Sequence, residues 1–194
     1  MATAAQLAAP AAGPFTWHDY LALADDDRRE LFDGYLLEAD VATALHEWIV
    51  AYLITVLNTW AFGNGGRALA SAYKVRISDR RAVMPDVQFY RRGRSTPAQA
   101  LTEGGPDLAV EVISAGSRGI DSVTKLRYYL QIGVPEYWLV DPEAQTLTCF
   151  VQVQTAAGPA WQVTHALGIG DGQFAPPTFA GLCVDLQRLF TVPD

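Results

Sequence analysis

The sequence predicts an α/β protein whose central sheet has mixed strand directions and helices against its faces. Three observations predict it. Residues 43–62 carry Leu45, Trp48, Ile49, Tyr52, Leu53, Val56, Leu57 and Trp60 at spacings of three and four, a wide apolar helical stripe. Residues 107–113 read as a strand, with Leu108, Val110 and Val112 on one face and Ala109, Glu111 and Ile113 on the other. The order helix, three strands, helix, strand then calls for a sheet with helices against its faces.

The elements follow in order. The Ala-rich residues 1–13 read as a flexible lead, and residues 14–194 as a single domain, since no repeat or Pro/Ser linker divides them. Thr16 with Asp19 three residues on begins a capping box for a short helix to Leu23. Asp33-Gly34 between apolar flanks marks a hairpin over residues 31–38. Gly63-Asn64-Gly65-Gly66 ends the long helix. Tyr73, Val75 and Ile77 then alternate with Lys74, Arg76 and Ser78, as in a half-buried strand. A turn at 79–81 leads to a strand at 86–90, and a short helical piece is expected around 97–101. After the 107–113 strand, Asp121 or Ser122 can cap a helix to Gln131 that ends at Gly133. A strongly apolar strand at 136–140 and weaker strands at 146–152, 161–166 and 181–185 complete the chain.

Half the residues are apolar and 18% are charged, enough for a sizeable core. The apolar stretches are too short to cross a bilayer and no signal peptide is evident, so a cytoplasmic protein is expected. Cys149 and Cys183 lack metal or redox spacing and read as small buried hydrophobes in a reducing compartment. With three scattered histidines a zinc site is not expected, and phosphate-cradling glycine loops and nucleophile elbows are absent. The net charge of −7 is unevenly spread. Residues 67–94 hold eight basic residues against Asp79 and Asp86, a local +6, which leaves −13 elsewhere. That segment can meet a phosphate backbone, or can be a solvated hairpin, the commoner outcome.

The informative residues are acids on otherwise apolar strands. Asp86 follows Pro85, and Glu111 sits amid Val110, Val112 and Ile113, where an unpaired carboxylate is costly to bury. If their strands are neighbours, both acids can project from one face and suit Mg²⁺ or Mn²⁺, ions that prefer oxygen ligands and keep several waters. Equally, Glu111 can ion-pair with an arginine such as Arg76 or Arg127. Lys125, on the helix after the Glu111 strand, could orient or deprotonate a water there, or could be an exposed helix lysine. Glu38 is a candidate third carboxylate. His46 is a candidate substrate contact, though a lone histidine is more often structural. Arg76, Ser114 and Arg118 are further candidate phosphate contacts, with turn formation as the alternative for the last two.

These residues bring a family into view. Thr16-Trp17-His18-Asp19-Tyr20, Glu30-Leu31-Phe32-Asp33-Gly34, His46, Met84-Pro85-Asp86, Pro106 to Ser114, Asp121, Lys125, Tyr128 and Gly133 to Pro142 resemble the Uma-two family, classed with the restriction endonucleases of the PD-(D/E)XK superfamily. The likeness runs from about Thr16 to Phe190. It implies a restriction-endonuclease-like core with additional C-terminal strands, and metal-dependent hydrolysis of phosphodiester bonds in DNA. By motif, Asp86 is the acid of the Pro-Asp element and Glu111 that of the Glu-x-Lys element. Ile113 stands where the superfamily has its lysine, and Lys125 matches the lysine that this family brings from the next helix. Ala115-Gly116 departs from the family's usual Pro-Ser. A homodimer would give one site per DNA strand. A non-catalytic nucleic-acid-binding or assembly module on the same fold, and a hydrolase of other phosphate esters, are the alternatives.

Overall fold

The computed structural model describes residues 13–24, 26–38, 42–114 and 119–193. Most of the N-terminal lead, and Arg118, lie outside them. The capping box closes as expected. The Thr16 hydroxyl accepts the Asp19 N–H while the Asp19 carboxylate accepts the Thr16 N–H, opening α1 (Trp17–Leu21). Asp33 and Gly34 both take positive φ and turn β1 (Glu30–Phe32) into β2 (Tyr35–Leu37). Thr43 caps α2 (Ala44–Asn64), which Gly65 ends at φ 81°. β3 (Arg67–Ala70), β4 (Lys74–Ser78), β5 (Arg81–Val83), β6 (Val87–Tyr90), β7 (Ala100–Leu101) and β8 (Leu108–Val112) follow. The next helix begins as a π-helical turn (Ile120–Lys125) and continues as α3 (Leu126–Gln131), then β9 (Glu136–Asp141). β10 (Thr146–Thr155) and β11 (Gly158–Gly168) form a long hairpin, and β12 (Gln173–Phe174), β13 (Val184–Asp185) and α4 (Leu186–Leu189) close the chain.

Among the described residues the strands make a six-stranded sheet of order β11-β10-β9-β8-β6-β3 and a five-stranded sheet of order β2-β1-β5-β4-β7. β12 pairs only with β13. In the large sheet β8 and β9 are parallel, joined by the α3 crossover, and the other pairs are antiparallel. This is the mixed sheet with extra C-terminal strands that the sequence predicts. One face is covered by α2 and the C-terminal segment, where Ile49, Leu53 and Leu57 meet Val110, Trp138, Phe179 and Leu189. The opposite face packs Ala109 and Tyr137 against Tyr128 and Tyr129 of α3 and against Val75 and Val83 of the smaller sheet. The far side of that smaller sheet holds Trp17 and Tyr20 of α1 against Leu31. Burial of this apolar surface is the main stabilising term.

Several local expectations are corrected. The region near 97–101 supplies β7, parallel to β4, where a helical piece was expected, because burial of Ala100 and Leu101 beside β4 outweighs local propensity. β3 pairs with β6 and went unpredicted. The helix after β8 starts at Ile120 with Gly119 at its cap, so neither Asp121 nor Ser122 stands there. Cys149 is buried, but Cys183 is exposed, on the turn before β13. The basic segment is not one hairpin. It runs through both sheets, and several of its arginines are engaged internally: Arg81 on Asp33 at 2.5 Å, Arg91 on the Thr178 carbonyl at 2.5 Å, and Arg94 on the Gly105 carbonyl. Lys74 is buried as well, its ammonium 3.3 Å from the Tyr20 carbonyl. Among the described residues no helix is long and apolar enough to cross a membrane.

Candidate active site

The strand that Asp86 leads into and the strand carrying Glu111 are neighbours. β6 and β8 pair with Val87 opposite Val110, Gln88 opposite Ala109 and Phe89 opposite Leu108. Asp86 immediately precedes β6, so extending that register by one step points it toward Glu111. Directly opposed residues of an antiparallel pair project to the same face, with Cβ atoms about 5 Å apart. The Asp86 carboxylate accepts the Val112 N–H at 2.7 Å, which holds it across the end of β8. Its side chain keeps 18% exposure, whereas Glu111 is 2% exposed.

Lys125 is buried and reaches Glu111. Its Nζ lies 3.1 Å from Glu111 Oε2 and 3.0 Å from Glu30 Oε2. Tyr129, one helical turn later and therefore on the same face, donates its hydroxyl to the other Glu111 oxygen. Burial first, and the adjacent Glu111 charge second, push the Tyr129 phenol well above its ordinary pKa, so it stays a donor. The π-helical turn that ends at Lys125 is a rare geometry, met mostly as single turns and often at functional sites.

His46 approaches from the first turn of α2, with Nε2 3.5 Å from Asp86 Oδ2 and Nδ1 3.9 Å from Glu47 Oε1. Burial lowers the basicity of the imidazole. The Asp86 carboxylate, with Glu47 beyond it, outweighs that effect and raises the His46 pKa above its ordinary value. Among the described residues, His46 Nδ1 and Arg76 Nε are shut from solvent with no hydrogen-bond partner.

The sequence-predicted residues thus divide. His46 meets Asp86 at 3.5 Å and Lys125 meets Glu111 at 3.1 Å, and Asp86 is tied to the Glu111 strand through the Val112 N–H. Glu38 is exposed after β2, where its charge acts on Arg29. Arg76 lies on β4 of the smaller sheet, 3.7 Å from Asp79, and Arg127 is exposed. Ser114 is half-buried just after β8. Two participants were missed as such, Glu30 and Tyr129. Tyr129 follows Lys125 at i,i+4, a spacing that puts the two on one helix face and could have found it. Glu30 carried no local signal of that kind, since it comes from the other sheet.

The donor set suits a hard divalent cation. Asp86 and Glu111 offer carboxylate oxygens from adjacent strands, and one of the two is open to solvent. Among the described residues no three His, Cys, Asp or Glu side chains converge on a metal position.

The family described as Uma2, "putative restriction endonuclease", matches residues 17–187. The chain belongs to the Uma2 family. A crystal structure described as that of a putative nuclease belonging to DUF820, from Anabaena variabilis, superposes with a TM-score of 0.74. The two are 20% identical over 91% of this chain and 98% of that one, a likeness that establishes the fold. No curated protein matches. The expected restriction-endonuclease-like core is thereby met in this Uma2 chain, with β8, the α3 crossover and β9 at its centre.

Proposed function

We propose that this Uma2 protein is an endonuclease that hydrolyses DNA phosphodiester bonds with Mg²⁺ or Mn²⁺ at Asp86 and Glu111. One observation carries the reading: a buried lysine from the following helix lies 3.1 Å from Glu111, and the Asp86 carboxylate accepts the N–H of the next residue of the Glu111 strand, Val112, at 2.7 Å. A divalent ion bound there would neutralise charge on the scissile phosphate and lower the pKa of an attacking water. Within the chain, Asp86 and Glu111 anchor the reacting centre. Lys125 donates to the attacking water or to the charge that grows on the phosphoryl oxygens, from a position fixed before substrate arrives. Tyr129 locks the Glu111 rotamer. His46 bears on Asp86 from the first turn of α2.

Phosphate contacts fall to Ser114 and Arg118, while Arg76, on β4 beside Asp79, and Glu38, exposed past β2, are left outside the reacting centre. Such contacts give affinity that falls with salt and carry little sequence information. Cutting both strands calls for two sites, hence a homodimer as the working unit.

The test is cleavage of supercoiled and single-stranded DNA with Mn²⁺, Mg²⁺ or EDTA, comparing wild type with Asp86→Ala. Metal-dependent cutting that disappears in a folded Asp86→Ala protein is the expected result. Cutting that survives in the variant would overturn the site. No cutting by folded wild type would favour a non-catalytic binding or assembly module, and turnover of small phosphodiesters alone would favour a different phosphate ester.

A further inference from the structure

We infer that Glu30 is a positioning residue for the proposed nuclease reaction, one that holds Lys125 in line between Glu111 and the Pro85-Asp86 segment. The inference rests on the reading above and adds a residue to it. Glu30 is the first residue of β1, in the smaller sheet, and belongs to none of the strands that carry Asp86 or Glu111. Alternation along β1 sends Leu31 toward α1 and leaves Glu30 and Phe32 facing the large sheet. Glu30 is thus carried inward, where it is 9% exposed.

Both of its oxygens are committed. Oε2 lies 3.0 Å from Lys125 Nζ, and Oε1 accepts the Met84 N–H at 2.6 Å. Met84 precedes Pro85 and Asp86, so the group that steadies the lysine is pinned to the segment that delivers the aspartate. A proline between the two limits how far Met84 and Asp86 can move independently. A lysine head on a four-carbon stem has many rotamers, and a single carboxylate partner leaves it free to swing about that contact. Two carboxylates at 3.0 and 3.1 Å fix its direction as well as its distance. Glu30 therefore ties the position of Lys125 to that of Asp86 across two sheets, without touching the reacting atoms.

An ordinary buried ion pair would give the same picture in the resting protein, so the test needs readouts that a stabilising role would not move. These are kcat and KM for supercoiled DNA per folded molecule, and Mn²⁺ affinity by electron paramagnetic resonance, for wild type, Glu30→Gln, Glu30→Asp, Lys125→Ala and Glu30→Gln/Lys125→Ala. Loss of an outer-shell partner typically costs about 10- to 100-fold. We expect that loss in the kcat of Glu30→Gln, with KM and Mn²⁺ affinity within about twofold of wild type, and partial recovery in Glu30→Asp. Adding Glu30→Gln to Lys125→Ala should cost nothing further, because the lysine it positions is gone.

Unchanged kcat in Glu30→Gln, or full additivity in the double variant, overturns the inference while a cutting wild type leaves the nuclease reading intact. A loss of Mn²⁺ affinity of about tenfold or more with kcat at saturating Mn²⁺ unchanged would also overturn it, by placing the role of Glu30 on the metal rather than on Lys125. Folded wild type that does not cut removes the reading and this inference together. If Lys125→Ala does not fold, Lys125→Gln keeps the stem length without the charge and serves as the background.

Discussion

Replacing Lys125 with Met removes one ammonium from between two carboxylates, and its cost can be worked from burial. Lys125 is 5% exposed, Glu111 2% and Glu30 9%, so water cannot solvate the charges left behind. Breaking a buried ion pair by deleting one partner costs about 3–5 kcal/mol, much of it the penalty on the uncompensated charge. That is a large part of a total stability of about 5–15 kcal/mol. For a domain of this size each kcal/mol moves Tm by about 2–4 °C, giving a fall of about 6–20 °C. Met preserves the stem's apolar packing, so the loss reports the charge rather than a cavity.

The assay is thermal unfolding by circular dichroism in EDTA, with urea unfolding as a second measure. The reasoning also predicts a sign. Glu30→Gln/Lys125→Met should be more stable than Lys125→Met alone, because one of the two stranded carboxylates has become neutral. A Lys125→Met protein within about 2 °C of wild type, or a double variant less stable than the single, would refute the account.

Further outcomes are expected elsewhere. Burial first, and the Glu136 carboxylate beside it, raise the Cys149 thiol to about 12, whereas Cys183 is exposed. A thiol reagent at neutral pH should therefore label Cys183 rapidly and Cys149 only on unfolding, as peptide mass mapping would read. Phe179 is buried against Trp60, Phe89 and Trp138, with the Arg91 guanidinium 4.7 Å from its ring. Phe179→Ala should cost about 3–5 kcal/mol in urea unfolding, and a cost below about 1 kcal/mol would contradict that packing. Hydrogen bonds from Arg29 hold the Asp27 carboxyl below its ordinary value of 3.8. A depressed carboxyl stabilises the fold above its unfolded pKa and loses that stabilisation as pH falls through its folded pKa. The gap in urea midpoint between wild type and Asp27→Asn should accordingly be present at about pH 7 and narrow as pH falls below 3.8, and a pH-independent gap would refute it.

Features written in neighbouring residues were legible in the chain. The Thr16–Asp19 capping box, the Asp33-Gly34 hairpin, the apolar stripe of α2 and the two faces of β8 rest on hydrogen bonds and periodicities a few residues long, and they formed as read. The motifs at Met84-Pro85-Asp86 and residues 106–114 carried the family likeness for the same reason, and β6 and β8 proved to be neighbours. Tertiary structure decided which residues meet at Lys125. Glu30 reaches it only because the smaller sheet packs on the face of the large sheet that also receives α3, so that Phe32 and Val75 share a core with Tyr129 and Tyr137. Glu38 and Arg76 are candidates on the sequence, and both stand elsewhere, one exposed past β2 and one on β4 beside Asp79. β7 and the exposed turn at Cys183 were set the same way. A segment of weak local preference takes whatever conformation its neighbours' burial allows, and that burial is a property of the assembled sheets rather than of any short stretch of chain.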